Sequence, residues 1–175
     1  MIAANIAPDE SLFHGGRVDN LIPRKLWYEA VDEANSLIDD DIEVDIQGYD
    51  IDGDVVKAAR ENAREAGVEH LIHFQERAVK DLRHPKKYGF IITNPPYGER
   101  LEEKSALPAL YREFGESFKK LDSWSAYMIT SYEETERYFG RKADKNRKIY
   151  NGMLKTYFYQ FLGPKPPRRK KYPEN

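Results

Sequence analysis

Cysteine is absent from this 175-residue chain, which excludes disulfide bonds and thiolate metal sites. Histidine is scarce. His14, His70, His73 and His84 are scattered without ligand spacing, and although His70 and His73 lie near one another, a surface role outweighs a metal site for them. No metal ion is therefore expected. No apolar run approaches the length of a membrane span, and the N-terminus lacks a basic region followed by a long apolar core. A cytoplasmic location with no membrane partner is the default. Internal repeats are missing as well. A formal net charge of only −2 means that the chain as a whole does not advertise nucleic-acid binding.

What remains is ordinary for a globular protein, with 40% hydrophobic and 33% charged residues and the length of one domain. Charge is unevenly placed. The stretch before Asp54 is acidic, as in Asp39-Asp40-Asp41, whereas Arg141 to Lys171 is strongly basic. That asymmetry fits an RNA-facing end or a solvated surface with a charged tail. Periodicity predicts an amphipathic helix over 24–38, with Leu26, Trp27, Ala30, Val31, Ala34 and Leu37 as its apolar positions. A strand over 44–51 and a helix over 54–66 follow, with Gly67 suited to the helix end. Strands are predicted over 71–76, 88–93 and 124–130, and helices over 107–121 and 133–139. The helix over 107–121 is expected to present Leu110, Phe114 and Phe118 on one face. Residues 148–150 and 156–162 read as a closing antiparallel hairpin around Asn151-Gly152. The alternation implies an α/β domain with a mostly parallel sheet. Residues 1–163 are assigned to that domain and 164–175 to a basic tail.

The most informative stretch is Asn94-Pro95-Pro96-Tyr97, directly after the apolar run Tyr88 to Thr93. Two successive prolines cannot continue a central strand, because each lacks an N–H and has a fixed φ. The strand must stop at Asn94, leaving an amide side chain and two rigidly aimed carbonyls at its carboxyl end. In open α/β sheets that end binds ligands. Tyr97 adds a flat face for a planar base. Together they form a holder for a planar group bearing an NH2.

This motif resembles the signature of S-adenosylmethionine-dependent methyltransferases that modify ring- or carbonyl-conjugated amines. The extension Gly98-Glu99-Arg100-Leu101 resembles the bacterial large-subunit ribosomal RNA guanine-N2 methyltransferases in particular, with similarity from Met1 to about Gly163. The resemblance implies a Rossmann-like class I methyltransferase sheet with a C-terminal antiparallel hairpin. It also implies a ferredoxin-like segment, an RNA-binding THUMP domain, a first strand and a glycine-rich cofactor turn, none of which is found in this sequence. Met1 to Pro8 resembles the end of the helix that follows that turn. The expectation is a fragment lacking the N-terminal part of its parent enzyme, with buried backbone groups left unpaired beside the missing strand.

The resemblance assigns the cofactor S-adenosylmethionine and the partner RNA, with ribosomal RNA favoured. Asp50 is the candidate for the cofactor ribose, since an acidic residue at a strand end can accept both hydroxyl hydrogens, and Ile51 would lie beside the adenine. For Asp52 and Asp54 the competing role is helix capping, favoured for Asp54. Relatives place an acidic or polar side chain early in the loop after the next strand. Here those positions hold Arg77 and Ala78, so Ala78 is carried for its backbone N–H. Asn94 and the Pro95 carbonyl would hold the two amine hydrogens, Pro96 would fix the turn, and Tyr97 would stack on a flipped base. Glu99, Arg100 and the run Arg168 to Lys171 are secondary candidates for RNA contact. Three rivals stand beside guanine N2: adenine N6 in DNA or RNA, a glutamine side chain, and a non-catalytic RNA-binding or interaction module.

Overall fold

A computed structural model describes residues 23–39, 41–98 and 101–167, with the side chains of 101–103 and 151 left aside. The chain forms two compact units that divide between Arg77 and Ala78.

In the first unit, strands β1 (Ile46–Asp50) and β2 (Ile72–Glu76) pair in parallel, from Ile46 opposite Ile72 to Asp50 opposite Glu76. Helix α1 (Arg24–Ser36) occupies the predicted amphipathic stretch, yet none of its residues is buried. Helix α2 (Gly53–Glu65) packs on the strand pair through Val56 and Ala63, and Gly67 ends it with a φ of 67°. The cap is corrected by one turn position. Asp52, not Asp54, is the N-cap, because Asp52 is extended (φ −95°, ψ 115°) and its carboxylate accepts the Asp54 N–H at 2.8 Å. Asp54 already lies inside the first turn, where its side chain cannot reach that donor.

The second unit contains β3 (Phe90–Thr93), α3 (Leu101–Lys119), β4 (Ser125–Thr130), α4 (Thr135–Phe139), β5 (Lys145–Asn151) and β6 (Leu154–Phe161). Its sheet runs β3-β4-β6-β5, with β3 and β4 parallel and the other pairs antiparallel. The expected single, mostly parallel sheet is thus replaced by two ladders. Among the described residues β1 pairs only with β2, and β3 only with β4, so each keeps one edge without a strand partner. Rather than leaving buried groups unpaired, β3 stands open on its other face too: Phe90 and Ile92 are 67% and 83% exposed.

The core lies on one face of this sheet. Leu107, Tyr111, Phe114 and Phe118 of α3 meet Ala126 and Met128 of β4, Phe139 of α4, and Tyr159 and Phe161 of β6. The α3 stripe follows helical spacing, but its register differs from the expected one: Tyr111 is buried and Leu110 only partly so. The helix also begins six residues early, at Leu101, and carries Pro108 inside it. Proline costs the Lys104 carbonyl its helical donor, and packing of the flanking residues offsets that loss. Gly115 is required here, because a Cβ would come within 2.1 Å of the Phe139 carbonyl oxygen. Among the described residues no helix is long and apolar enough to cross a membrane.

Tyr111 is 1% exposed, and its hydroxyl lies 2.7 Å from that of Thr130, itself fully buried. Burial pushes the Tyr111 phenol from 10.0 up to about 12, against the lowering effect of the Thr130 hydrogen bond. The folded state therefore favours the neutral phenol. Its contribution is complete below the unfolded value near 10 and is lost as pH rises through about 12. Urea titrations should show stability falling by roughly 2–3 kcal/mol across that window, and Tyr111→Phe should remove most of the fall. An identical alkaline loss in Tyr111→Phe would assign it to other groups.

Candidate functional site

The Asn94-Pro95-Pro96-Tyr97 turn leaves β3 immediately after the last register pair, Thr93 opposite Met128. Asn94 and Pro96 are exposed, while Pro95 and Tyr97 are half-buried. The amide is thus available to a ligand and the tyrosine ring is partly seated. Because β3 and β4 are parallel, their carboxyl ends share one end of the sheet. Thr130 closes β4 there, accepting the Tyr132 N–H at 3.1 Å on the hydroxyl that meets Tyr111.

Gly98 explains how the turn is held. Its φ is +72°, and a Cβ would lie 2.7 Å from Leu107 Cδ1 and 3.0 Å from Lys104 Cγ. The chain leaving Tyr97 therefore rests directly on α3, at the residue that starts the buried stripe. Glu99 and Arg100 lie outside the described residues, as do His14, Met1 to Pro8 and the run Arg168 to Lys171. Leu101 begins α3.

In the first unit, one Asp50 carboxylate oxygen accepts the Asp52 N–H at 2.9 Å, which sets the carboxylate at the carboxyl end of β1. Ile51 beside it is 73% exposed. A fixed carboxylate next to an open apolar side chain is the donor set that a ribose diol and an adenine plane need, so these residues fit an adenosyl group. Arg77 is engaged locally: its guanidinium donates to Gln75 Oε1 at 2.6 Å and lies 4.6 Å from the Tyr49 ring centre, while its N–H bonds the Asp50 carbonyl at 2.7 Å. Ala78 belongs to the second unit, half-buried, with its carbonyl accepting the Asp81 N–H at 3.0 Å. The candidate residues therefore fall into two groups, Asp50 with Ile51 in the first unit and Ala78 with Asn94 to Tyr97 in the second. Glu76, opposite Asp50 in the register, was not singled out by sequence; only the strand pairing identifies it. Its carboxylate lies by the first residue of α2, 2.8 Å from where a Gly53 Cβ would stand, a position favoured by the helix dipole.

Sequence reasoning also aimed the basic character at the tail and passed over the β5–β6 hairpin. The hairpin turn is Gly152-Met153, one residue beyond the expected centre, with Gly152 at a φ of 60° and Asn151 paired to Leu154. Lys148 lies 5.2 Å from the Tyr150 ring centre, and Lys155 the same distance from that of Tyr157. A hydrogen bond from Lys148 holds the Tyr150 phenol below its ordinary value. Partnership with the Tyr157 hydroxyl and then Glu133 raises the Lys155 ammonium. A recess of about 400 Å³ lined by Phe118, Trp124, Phe139 and Leu162 sits at the opposite end of this sheet, near the start of β4 and the end of β6. It is remote from the Asn94 turn.

A mixed sheet flanked by helices, with an Asn-Pro-Pro-Tyr turn at a strand's carboxyl end, defines an α/β methyltransferase-like domain. The sequence pattern of the UPF0020 family, RMKL-like, methyltransferase domain, matches residues 14–160, and the chain belongs to that family. YpsC of Bacillus subtilis (strain 168) is 43% identical over 171 residues, covering 98% of this chain and 44% of YpsC. Ribosomal RNA large subunit methyltransferase K/L of Shewanella baltica (strain OS185) is 39% identical over 167 residues, 90% of this chain and 23% of that protein. The crystal structure of SMU.472 complexed with SAH matches with a TM-score of 0.78 at 43% identity, covering 84% of this chain and 39% of that one. The chain thus spans less than half the length of these relatives.

The seat of the turn is testable by substitution. Gly98→Ala adds a methyl at a positive φ and against Leu107, and should cost about 1–3 kcal/mol in urea unfolding. Leu107→Ala in the Gly98→Ala background should recover part of that loss; strict additivity of the two would show that Gly98 does not rest on Leu107.

Proposed function

We propose that this chain carries the amine-holding part of an S-adenosylmethionine-dependent methyltransferase that modifies an exocyclic amine of RNA, with guanine N2 of large-subunit ribosomal RNA as the favoured target. The observation that carries the reading is the exposed Asn94 amide at the carboxyl end of β3, on a turn stiffened by two prolines and seated on α3 through Gly98. The name of the Shewanella relative, which specifies ribosomal RNA, and the SAH held by SMU.472 support substrate class and cofactor. SAH is what S-adenosylmethionine becomes once its methyl is gone.

When bound, S-adenosylmethionine supplies a methyl group on a sulfonium sulfur to the amine nitrogen, which then releases a proton to water. Asp50 would hold its ribose and Ile51 its adenine, with the Ala78 N–H as a further contact. The chain's own task is positioning. A ring-conjugated NH2 is a poor nucleophile because its lone pair is delocalised into the ring. The Asn94 side-chain oxygen and the Pro95 carbonyl would each accept one amine hydrogen, favouring a more pyramidal nitrogen. Pro96 keeps that carbonyl from turning away. The Tyr97 ring would stack on the base and fix its plane. Such preorganised polar groups act by orientation and electrostatics, without a strong general base. Adenine N6 presents the same NH2 to the same four residues and is the second reading; the Gly98-Glu99-Arg100-Leu101 extension favours guanine.

Asn94→Ala, in the intact protein that carries this sequence, should lower methyl transfer to ribosomal RNA about a hundredfold or more. S-adenosylmethionine affinity should stay nearly unchanged by calorimetry. Tyr97→Ala should lose stacking worth about 1–3 kcal/mol, whereas Tyr97→Phe should be nearly silent. Label from methyl-tritiated cofactor should appear on guanine-containing rather than adenine-only oligonucleotides. Near wild-type methylation by Asn94→Ala would remove the assigned role.

A further inference from the structure

The β5–β6 hairpin carries a feature that methyl transfer itself does not use. Between Lys145 and Leu162 the chain has four cations, Lys145, Arg147, Lys148 and Lys155, and no acidic residue. Strand pairing sets Lys148 opposite Tyr157 and Tyr150 opposite Lys155. Alternation along each strand places these four side chains on one face, so cations and aromatic rings form a checkerboard. Each lysine also lies 5.2 Å from the ring centre of the tyrosine two residues along its own strand.

The checkerboard's position matters as much as its composition. Strand β6 runs antiparallel to β4, with Thr130 opposite Tyr157. The hairpin turn therefore lies at the carboxyl end of β4, the same sheet end as the Asn94 turn, and all of it belongs to one unit. Cross-strand packing alone accounts poorly for the outer pair. Tyr150 is 62% exposed and Met153 at the tip is fully exposed, so little apolar area is gained there. Glu133 meets Lys155 at 2.9 Å; among the described residues no carboxylate forms an ion pair with Lys148.

We propose that this hairpin face binds single-stranded RNA, gripping the segment that flanks the base presented to Asn94 and Tyr97. The inference rests on the RNA reading above. Alternating cations and rings suit a chain in which phosphates and unpaired bases alternate, since lysines meet the backbone and a tyrosine face accepts any base. An A-form duplex offers no free base faces to Tyr150. The surface thus recognises the strand without reading its sequence, leaving base choice to the Asn94 turn.

The test is fluorescence anisotropy of the 175-residue chain with a labelled single-stranded RNA of mixed sequence, titrated over a range of salt. Tyr150→Ala should weaken binding about fivefold or more with an unchanged salt slope, and Tyr150→Phe should restore it. Lys148→Gln with Lys155→Gln should weaken binding and flatten the log–log salt slope by about 1.4, or 0.7 for each phosphate released. Melting temperatures within a degree or so of wild type would show that these surface changes leave the fold intact. Wild-type chain that binds RNA with an ordinary salt slope while all hairpin variants match it would overturn the hairpin proposal and leave the RNA reading standing. Wild-type chain without salt-dependent RNA binding would overturn both. Equal affinity for a duplex or an acidic peptide of matched charge would make the hairpin a general anion contact and overturn its assignment to single strands.

Discussion

The carboxyl end of the four-stranded sheet depends on how the first half of α3 is seated. Leu107 and Tyr111, one turn apart, are 2% and 1% exposed, and each supports a different part of that end. Leu107 is the surface on which Gly98 lies, so it sets where the chain goes after Tyr97. Tyr111 joins its hydroxyl to Thr130, and its ring packs 5.0 Å from that of Tyr132, which ties down the end of β4. Behind them Phe114 and Phe118 close on Phe139 with ring centres 5.2 and 5.5 Å apart. A shift of α3 along its axis would therefore move the Asn94 turn and the β4 terminus together. Close-packed interiors transmit such displacements rather than absorbing them.

Much of this was legible in the sequence, and the residues show why. Asn94-Pro95-Pro96-Tyr97 needs only covalent facts, a missing N–H and a fixed φ, to end a strand. The structure ends β3 at Thr93. The Phe114 and Phe118 positions follow from helical periodicity. Periodicity could not choose between Leu110 and Tyr111, since both are apolar enough to bury; the hydroxyl of Thr130, nineteen residues away, decides for Tyr111. The onset of α3 was hidden by Pro108, which reads locally as a helix start but sits in the interior. Asp52 and Asp54 are equally good cap residues by type, and only backbone angles separate them. In the hairpin, composition showed a basic stretch, but the alignment of Lys148 with Tyr157 is a property of register.

Strand pairing is the part that local sequence describes least. The alternation of strands and helices led to one sheet, whereas β1 and β3 each find a single partner among the described residues. On β3 the consequence is visible in its side chains: Phe90 and Ile92 face outward, with Phe90 meeting only the edge region of Tyr127 at 6.2 Å between ring centres. A run this apolar has the composition of a strand buried on both faces. Its opposite face is covered, since Ile91 packs against the core cluster. The strand is thus held through one ladder and one face, a weaker tether than its sequence is suited to.

That asymmetry bears on how a stiff turn can remain accurate on a strand with an open edge. The position of Asn94 is not left to β3 alone. Upstream, the Tyr88 N–H reaches Ser123 Oγ at 3.2 Å and Trp124 donates to the Lys86 carbonyl at 2.8 Å, so the entry to β3 is pinned to the start of β4. Downstream, Gly98 rests on α3. Between these anchors lie a four-residue strand and a turn whose prolines remove most of the remaining torsional freedom. Side-chain accuracy at a transfer site has to be of the order of half an ångström, and here it comes from two fixed ends with a rigid span between them.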